Sequence, residues 1–123
     1  MANRDYLWLN IRDLPYFRGV LRAVESRFYQ EFEFAEPVLD LGCGDGQFVT
    51  VTFDEKIDVG IDPWTGPVRE AVQRGGYHHV VQNEGALIPF DSAQFETVFS
   101  NSVLEHIPDL QPVIHEVGRV IKP

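Results

Sequence analysis

The stretch VLDLGCGDGQF, Val38 to Phe48, sets glycines at every second position, Gly42, Gly44 and Gly46, with carboxylates at Asp40 and Asp45. A glycine turn that follows a strand lets backbone approach a ligand with no Cβ in the way. Such turns usually cradle phosphate, which is an anion, yet here an acid stands at the strand end. The spacing also departs from the dinucleotide fingerprint G-x-G-x-x-G, because the third glycine comes one residue early and Gln47 stands at its place. A carboxylate at Asp40 repels a pyrophosphate and suits an ammonium, or a sulfonium nearby. Further on, Asp62 closes the next apolar run, Ile57 to Ile61, where a carboxylate can accept both hydroxyls of a ribose.

Together these groups describe a nucleoside with a cationic, phosphate-free tail, and S-adenosylmethionine has that chemistry. A nicotinamide dehydrogenase would need the glycine spacing that is missing here. Asp62 could instead be a plain turn residue, and Asp45 a solvated acid in the first turn of a helix.

These residues must be carried by a chain of 123 residues, a length that favours one domain, residues 1–123. Hydrophobic residues make up 44% of it, enough for a packed core. The net charge of −9 disfavours nucleic-acid backbones and anionic membranes as partners. The single cysteine, Cys43, excludes an internal disulfide framework and fits a reducing compartment. No apolar run approaches the ~20 residues of a membrane span, and MANRDYLWLN lacks a signal-peptide core, so a cytoplasmic location is expected.

The elements alternate. Leu14, Phe17, Leu21, Val24 and Phe28 step by three and four, which predicts one core-facing helix stripe after an Asp13 cap, with Pro15 in the first turn. Strands are expected over Val38 to Leu41, Ile57 to Ile61, His79 to Gln82 and Phe95 to Ser100. Gln47 to Phe53 should be helical although Val49, Thr50, Val51 and Thr52 are poor helix formers. Gly66–Pro67 opens a further helix that Gly75–Gly76 stops. Ser102 and Glu105 form a capping box that predicts a helix from Val103 to Pro108, and another follows from Pro112 with Val113, Ile114, Val117 and Ile121 as its apolar face. This order predicts an α/β fold, a Rossmann-like parallel sheet with helices on both faces: an N-terminal helical segment over residues 1–36 and a core over 37–123.

VLDLGCGDGQF resembles the glycine-rich first motif of class I S-adenosylmethionine-dependent methyltransferases. VGIDP (Val59 to Pro63) is similar to their second motif, Asn83 to Ile107 to their third and fourth, and HEVGRVIKP (His115 to Pro123) to the segment entering their fifth strand. The resemblance implies that Asp40, Gly42 and Gly44 line the methionine part of S-adenosyl-L-methionine, with Cys43 and Gly46 shaping the turn. It implies that Asp62 holds the ribose, Pro63 touches the adenine face, Glu84 accepts from the adenine amino group and Gly85 offers its N–H to the ring. Ser100 and Asn101 would lie by the amino group and the methyl. Glu84–Gly85 stands where the family usually has Asp–Ala.

The resemblance also implies that the family pattern continues past Pro123, so that the sheet is truncated after the fourth strand and its helices, with much of the acceptor side missing. The expected function is methyl transfer to a small-molecule acceptor. The alternative is an incomplete or non-catalytic cofactor-binding module, for which a homodimer is one way to cover the exposed sheet edge. No metal site is expected, since His78, His79, His106 and His115 lack ligand spacing. Cys43 is read as packing rather than nucleophile, Glu105 as a cap rather than a catalytic residue, and His106, near the acceptor face, as a helix-surface histidine rather than a general base. Tyr6 and Trp8 are read as surface or core residues, with a lid over the cofactor as the alternative.

Overall fold

A computed structural model describes residues 4–14, 16–101 and 103–123. Two helices lead, α1 (Tyr6–Asp13) and α2 (Tyr16–Tyr29). The strands β1 (Val38–Leu41), β2 (Ile57–Asp62), β3 (Tyr77–Gln82) and β4 (Thr97–Phe99) follow, joined by α3 (Gln47–Thr52) and α4 (Thr65–Arg74). A single 3-10 turn (Leu104–His106) and α5 (Gln111–Val120) come after β4. The strands are all parallel and lie in the order β3-β2-β1-β4. The chain thus winds outward from β1 to β3 and returns to place β4 on the other side of β1. That reversal opens a crevice beyond the carboxyl ends of β1 and β4.

The sheet is covered on both faces, as predicted. Leu39, Leu41, Val59 and Ile61 pack with Ile88, Phe95, Val113 and Val120, so α5 and the 84–96 segment close one face. Val38, Val49, Ile57, Ala71, Tyr77 and Phe99 close the other, against the rings of Tyr29, Phe34 and Phe53. All four residues of β1 are buried, as a central parallel strand requires. Asp40 is the one charged side chain in that strand.

The segment before β4 has little regular structure and is tied to α5 by one side chain. Arg119 donates from Nη2 to the carbonyl of Ile88 and from Nη1 to that of Phe90, both at 2.8 Å. Its Nε reaches Glu116 Oε1 at 2.7 Å, and Glu116 Oε2 accepts the Ile88 amide at 2.8 Å.

Several expectations change. Residues 6–13 form a helix that the sequence reading did not predict, with the Asp5 side chain accepting the Trp8 amide at 2.9 Å. Asp13 closes that helix and pairs with Arg12 rather than capping α2. Pro15 lies outside the described residues. The Leu14 to Phe28 stripe does not face the core: Phe17 is 74% exposed, Val24 63%, Phe28 57% and Leu21 49%. The reason is α1. It packs against the opposite, small-residue side of α2, where a Cβ on Gly19 would lie 3.0 Å from the Ile11 backbone and Ala23 is buried with Tyr6 and Val51. Tyr6 is therefore core, whereas Trp8 is exposed.

The β-branched α3 forms because the Thr50 hydroxyl donates to the Gly46 carbonyl at 2.7 Å and Thr52 bonds to Ser26 of α2 at 2.9 Å. β3 begins at Tyr77, two residues early, and β4 is confined to Thr97–Phe99, with Phe95 only bridging to Ile121. The predicted helix at Val103 is one 3-10 turn without a side-chain cap, and Ser102 lies outside the described residues. Of the predicted α5 face, Val113 is buried while Ile114 is half exposed and Ile121 falls beyond the helix.

Candidate functional site

β1 ends in a turn that bends back on β2: the amides of Gly42 and Cys43 both donate to the Ile61 carbonyl, at 2.8 and 2.9 Å. Two left-handed glycines make the bend. Gly42, at φ +80°, leaves no room for a side chain, since a Cβ there would meet Val103 at 2.5 Å. Gly44, at φ +56°, has no atom of any residue beyond its two chain neighbours within 4 Å of where a Cβ would stand, so its backbone borders open space. Gly46, also left-handed, leads into α3.

Two acids flank this turn in different ways. Asp62, at the end of β2, accepts the Gly44 amide at 3.1 Å and the Trp64 amide at 3.0 Å. Its carboxylate is thereby fixed against the turn with lone pairs still available. Asp40 is only 4% exposed, and its Oδ2 accepts the Tyr77 hydroxyl at 2.5 Å. Burial pushes the Asp40 carboxyl up to about 7; the Tyr77 hydrogen bond opposes the rise and the Asp62 charge adds to it. The Cys43 thiol is pushed up strongly by burial and by the charges of Asp40 and Asp62. It stays a neutral thiol, which agrees with packing and not with a nucleophile.

Asp40, Gly42, Cys43 and Asn101 line one open cleft, together with Asp45 of the turn, Gln47 and Phe48 at the start of α3, and Leu14, Arg18 and Arg22 from the N-terminal helical segment. The wall from α2 is anchored: Glu25 Oε2 accepts Arg22 Nη1 at 2.7 Å and Asn101 Nδ2 at 2.8 Å. The Arg22 guanidinium lies 5.9 Å from the centre of the Phe48 ring. Arg18, Arg22 and Tyr77 were not singled out from the sequence. The spacing of four between the two arginines, which puts them on one helix side, was the available signal.

The other predicted residues sit around this cleft without lining it. Ser100 donates its hydroxyl to the Leu41 carbonyl at 2.8 Å and so ties the ends of β4 and β1 together. Pro63 is exposed at the end of β2, with its carbonyl accepting from Gln82 at 3.3 Å. The Asn83 amide donates to the Asp62 carbonyl at 3.1 Å, which brings the 83–85 turn to the end of β2. There Glu84 is exposed and Gly85 abuts Leu41 and Val113. Glu105 and His106 pair at 3.7 Å on the surface. Among the described residues no three His, Cys, Asp or Glu side chains gather as a metal-binding group, and no helix is long and apolar enough to cross a membrane.

Comparison with known proteins agrees with this architecture. Residues 39–123 match the Methyltransferase domain family. The chain is 33% identical over 87 residues to a malonyl-[acyl-carrier protein] O-methyltransferase of Enterobacter lignolyticus, covering 70% of this chain and 35% of the relative. It is 31% identical over 102 residues to a ubiquinone biosynthesis O-methyltransferase of Klebsiella pneumoniae, covering 73% of this chain and 40% of the relative. Among solved structures, an S-adenosylmethionine-dependent methyltransferase of Thermotoga maritima superposes with a TM-score of 0.72 at 19% identity, over 83% of this chain and 47% of that one. A geranyl diphosphate C-methyltransferase of Streptomyces coelicolor, solved with S-adenosyl-L-homocysteine, gives 0.70 at 18% identity, over 85% and 42%. The chain thus spans less than half the length of these proteins. The family match extends from Leu39 in β1 through the last described residue, and with it the chain belongs to the class I S-adenosylmethionine-dependent methyltransferases.

Proposed function

We propose that this chain binds S-adenosyl-L-methionine across the carboxyl ends of β1 and β2 and directs its methyl group to a small-molecule acceptor. The observation that carries the reading is the pairing of charges in the cleft. A buried carboxylate, Asp40, shares one cavity with the guanidinium-bearing side chains Arg18 and Arg22. That set is complementary to an α-amino acid zwitterion, with the ammonium at Asp40 and the carboxylate at the arginines. Next to it, Gly44 borders open space and Asp62 stands fixed with spare acceptor capacity, as a ribose diol requires. The residues present therefore fit an adenosyl amino acid better than a dinucleotide.

Under this reading Asp40, Gly42 and Gly44 hold the methionine part, with Cys43 and Gly46 forming the turn. Asp62 takes the ribose, while Pro63, Glu84 and Gly85 face the purine. Asn101 closes the methyl end, and Ser100 positions it by holding β4 to β1. The cofactor supplies an electrophilic methyl on a sulfonium, already a good leaving group. What remains for the protein is to exclude water and hold the acceptor about 3 to 3.5 Å from that methyl. The net charge of −9 favours a small acceptor over a polyanion. Family membership and the relatives' O-methyltransferase names support the reaction class; the acceptor is a matter for assay.

Titration calorimetry tests the reading directly. S-adenosylmethionine and S-adenosylhomocysteine are expected to bind and NADH is not. Asp62→Ala should weaken binding by about 1–3 kcal/mol through lost hydrogen bonds to a charged acceptor. Tight NADH binding with indifference to the sulfonium compound would refute the assignment. Transfer of labelled methyl across a metabolite panel then separates turnover from binding alone.

A further inference from the structure

We propose that the Tyr77 hydroxyl is a positioning group for Asp40: it reaches from β3 across β2, fixes the β1 carboxyl in the cleft and favours its charged form, ready for the ammonium of an amino-acid ligand. The inference rests on the cofactor reading above and adds to it a residue that none of the sequence motifs contains.

β3 is not a neighbour of β1. β2 lies between them, and Asp40 is paired across the sheet with Gly60. Tyr77 makes the crossing because Gly60 has no side chain. A Cβ on Gly60 would stand 2.9 Å from ring atom Cε1 and 3.0 Å from Cδ1 of Tyr77. A Cβ on Gly46 would stand 3.4 Å from Cε2, so the ring is bounded from the turn as well. The slot delivers the hydroxyl to 2.5 Å from Asp40 Oδ2. A phenylalanine would fill the same slot, so packing alone does not call for the oxygen.

The electrostatics explain what the oxygen does. Taking a carboxylate from water favours its neutral form, and a hydrogen bond donated to the ionised form counters that. The groups around Asp40 are Tyr77 on β3, Asp62 on β2, Cys43 and Asp45 in the turn, and Tyr29, Arg18 and Arg22 on α2. Burial of Tyr77 beside Asp40 raises its own hydroxyl far above physiological pH, so it remains a donor throughout. The Asp40 carboxyl is left titrating at about 7, and the Tyr77 bond is what keeps it from rising further. Ligand uptake is thereby linked to proton release near neutrality.

The test uses the whole chain and the Tyr77→Phe variant. The 13Cγ resonance of Asp40 is followed by NMR from pH 5 to 9 without ligand, and calorimetry measures S-adenosylmethionine and 5′-methylthioadenosine, which lacks the amino-acid part. The wild-type midpoint is expected near 7 and the variant's higher. A tenfold rise in proton affinity would leave about a tenth of the carboxyl ionised at pH 7 instead of about half. S-adenosylmethionine should then bind about fivefold more weakly to the variant at pH 7, with the ratio closing by pH 9. Methylthioadenosine affinity should be the same in both proteins. An unmoved midpoint, or equal loss of both ligands, overturns the assignment. Wild-type protein that takes up neither ligand removes the cofactor reading and this inference with it, a result distinct from an unresponsive variant of a binding wild type.

Discussion

α2 and α5 carry apolar stripes of the same helical spacing and use them in opposite ways. In α5 the sheet-facing row is sealed, although Ile114 beside it is half exposed: Val113 and Val120 lie at 3% and 0% exposure against the sheet, and Arg119 with Glu116 fastens the neighbouring segment from the polar side. In α2 the stripe of Phe17, Leu21, Val24 and Phe28 faces outward, and the helix is held by the side that looks weakest, Gly19, Ala23 and Ser26. Periodicity states which side chains share a face; it does not state what covers that face. A row of small residues lets a neighbouring backbone come close, and contact at short range replaces bulk.

The contrast can be broken at its strongest point first. Val120→Asp places an unpaired charge in the sealed face of α5 and should cost about 4 kcal/mol, read from chemical denaturation. Gly19→Leu drives a side chain into the Ile11 backbone and should cost about 1–3 kcal/mol, with α1 released from α2 and Tyr6 fluorescence more exposed to quencher.

A smaller effect concerns acid. The Arg119 guanidinium, helped by the Ile88 amide, holds the Glu116 carboxyl at about 2 instead of 4.5. Between those values the unfolded chain binds more protons than the folded one, so this contribution is complete above pH 4.5 and is lost as the pH falls toward 2. Glu116→Gln should flatten that part of the melting-temperature profile. Least of all, Phe17→Ser or Val24→Ser on the outer stripe of α2 should change stability by no more than about 0.5 kcal/mol. A large loss there would mean that the outward stripe is covered in solution.

The same distinction explains what could be read in the sequence. The glycine turn and its acids were legible because their geometry is local: Gly42, Gly44 and Asp62 meet within one β-α-β unit. The parallel sheet followed from the alternation of elements. α1 escaped because its inward positions include Asn10, a fully buried amide that donates to the Tyr6 carbonyl at 2.8 Å, and burial of a polar residue disguises the helical face. The helix at Val103 failed for a non-local reason, since that side chain fills the space over Gly42. Tyr77 was invisible because its role depends on a glycine in a different strand, and Arg18 and Arg22 because α2 was oriented by its larger residues.

The grip of Arg119 on Ile88 and Phe90 has a consequence at the other end of the site. The segment that follows Glu84 and Gly85 is immobilised when the chain folds, before any guest arrives. Under the proposed function, a purine entering beside it would meet a finished wall, and little conformational entropy would be left to surrender at the moment of association.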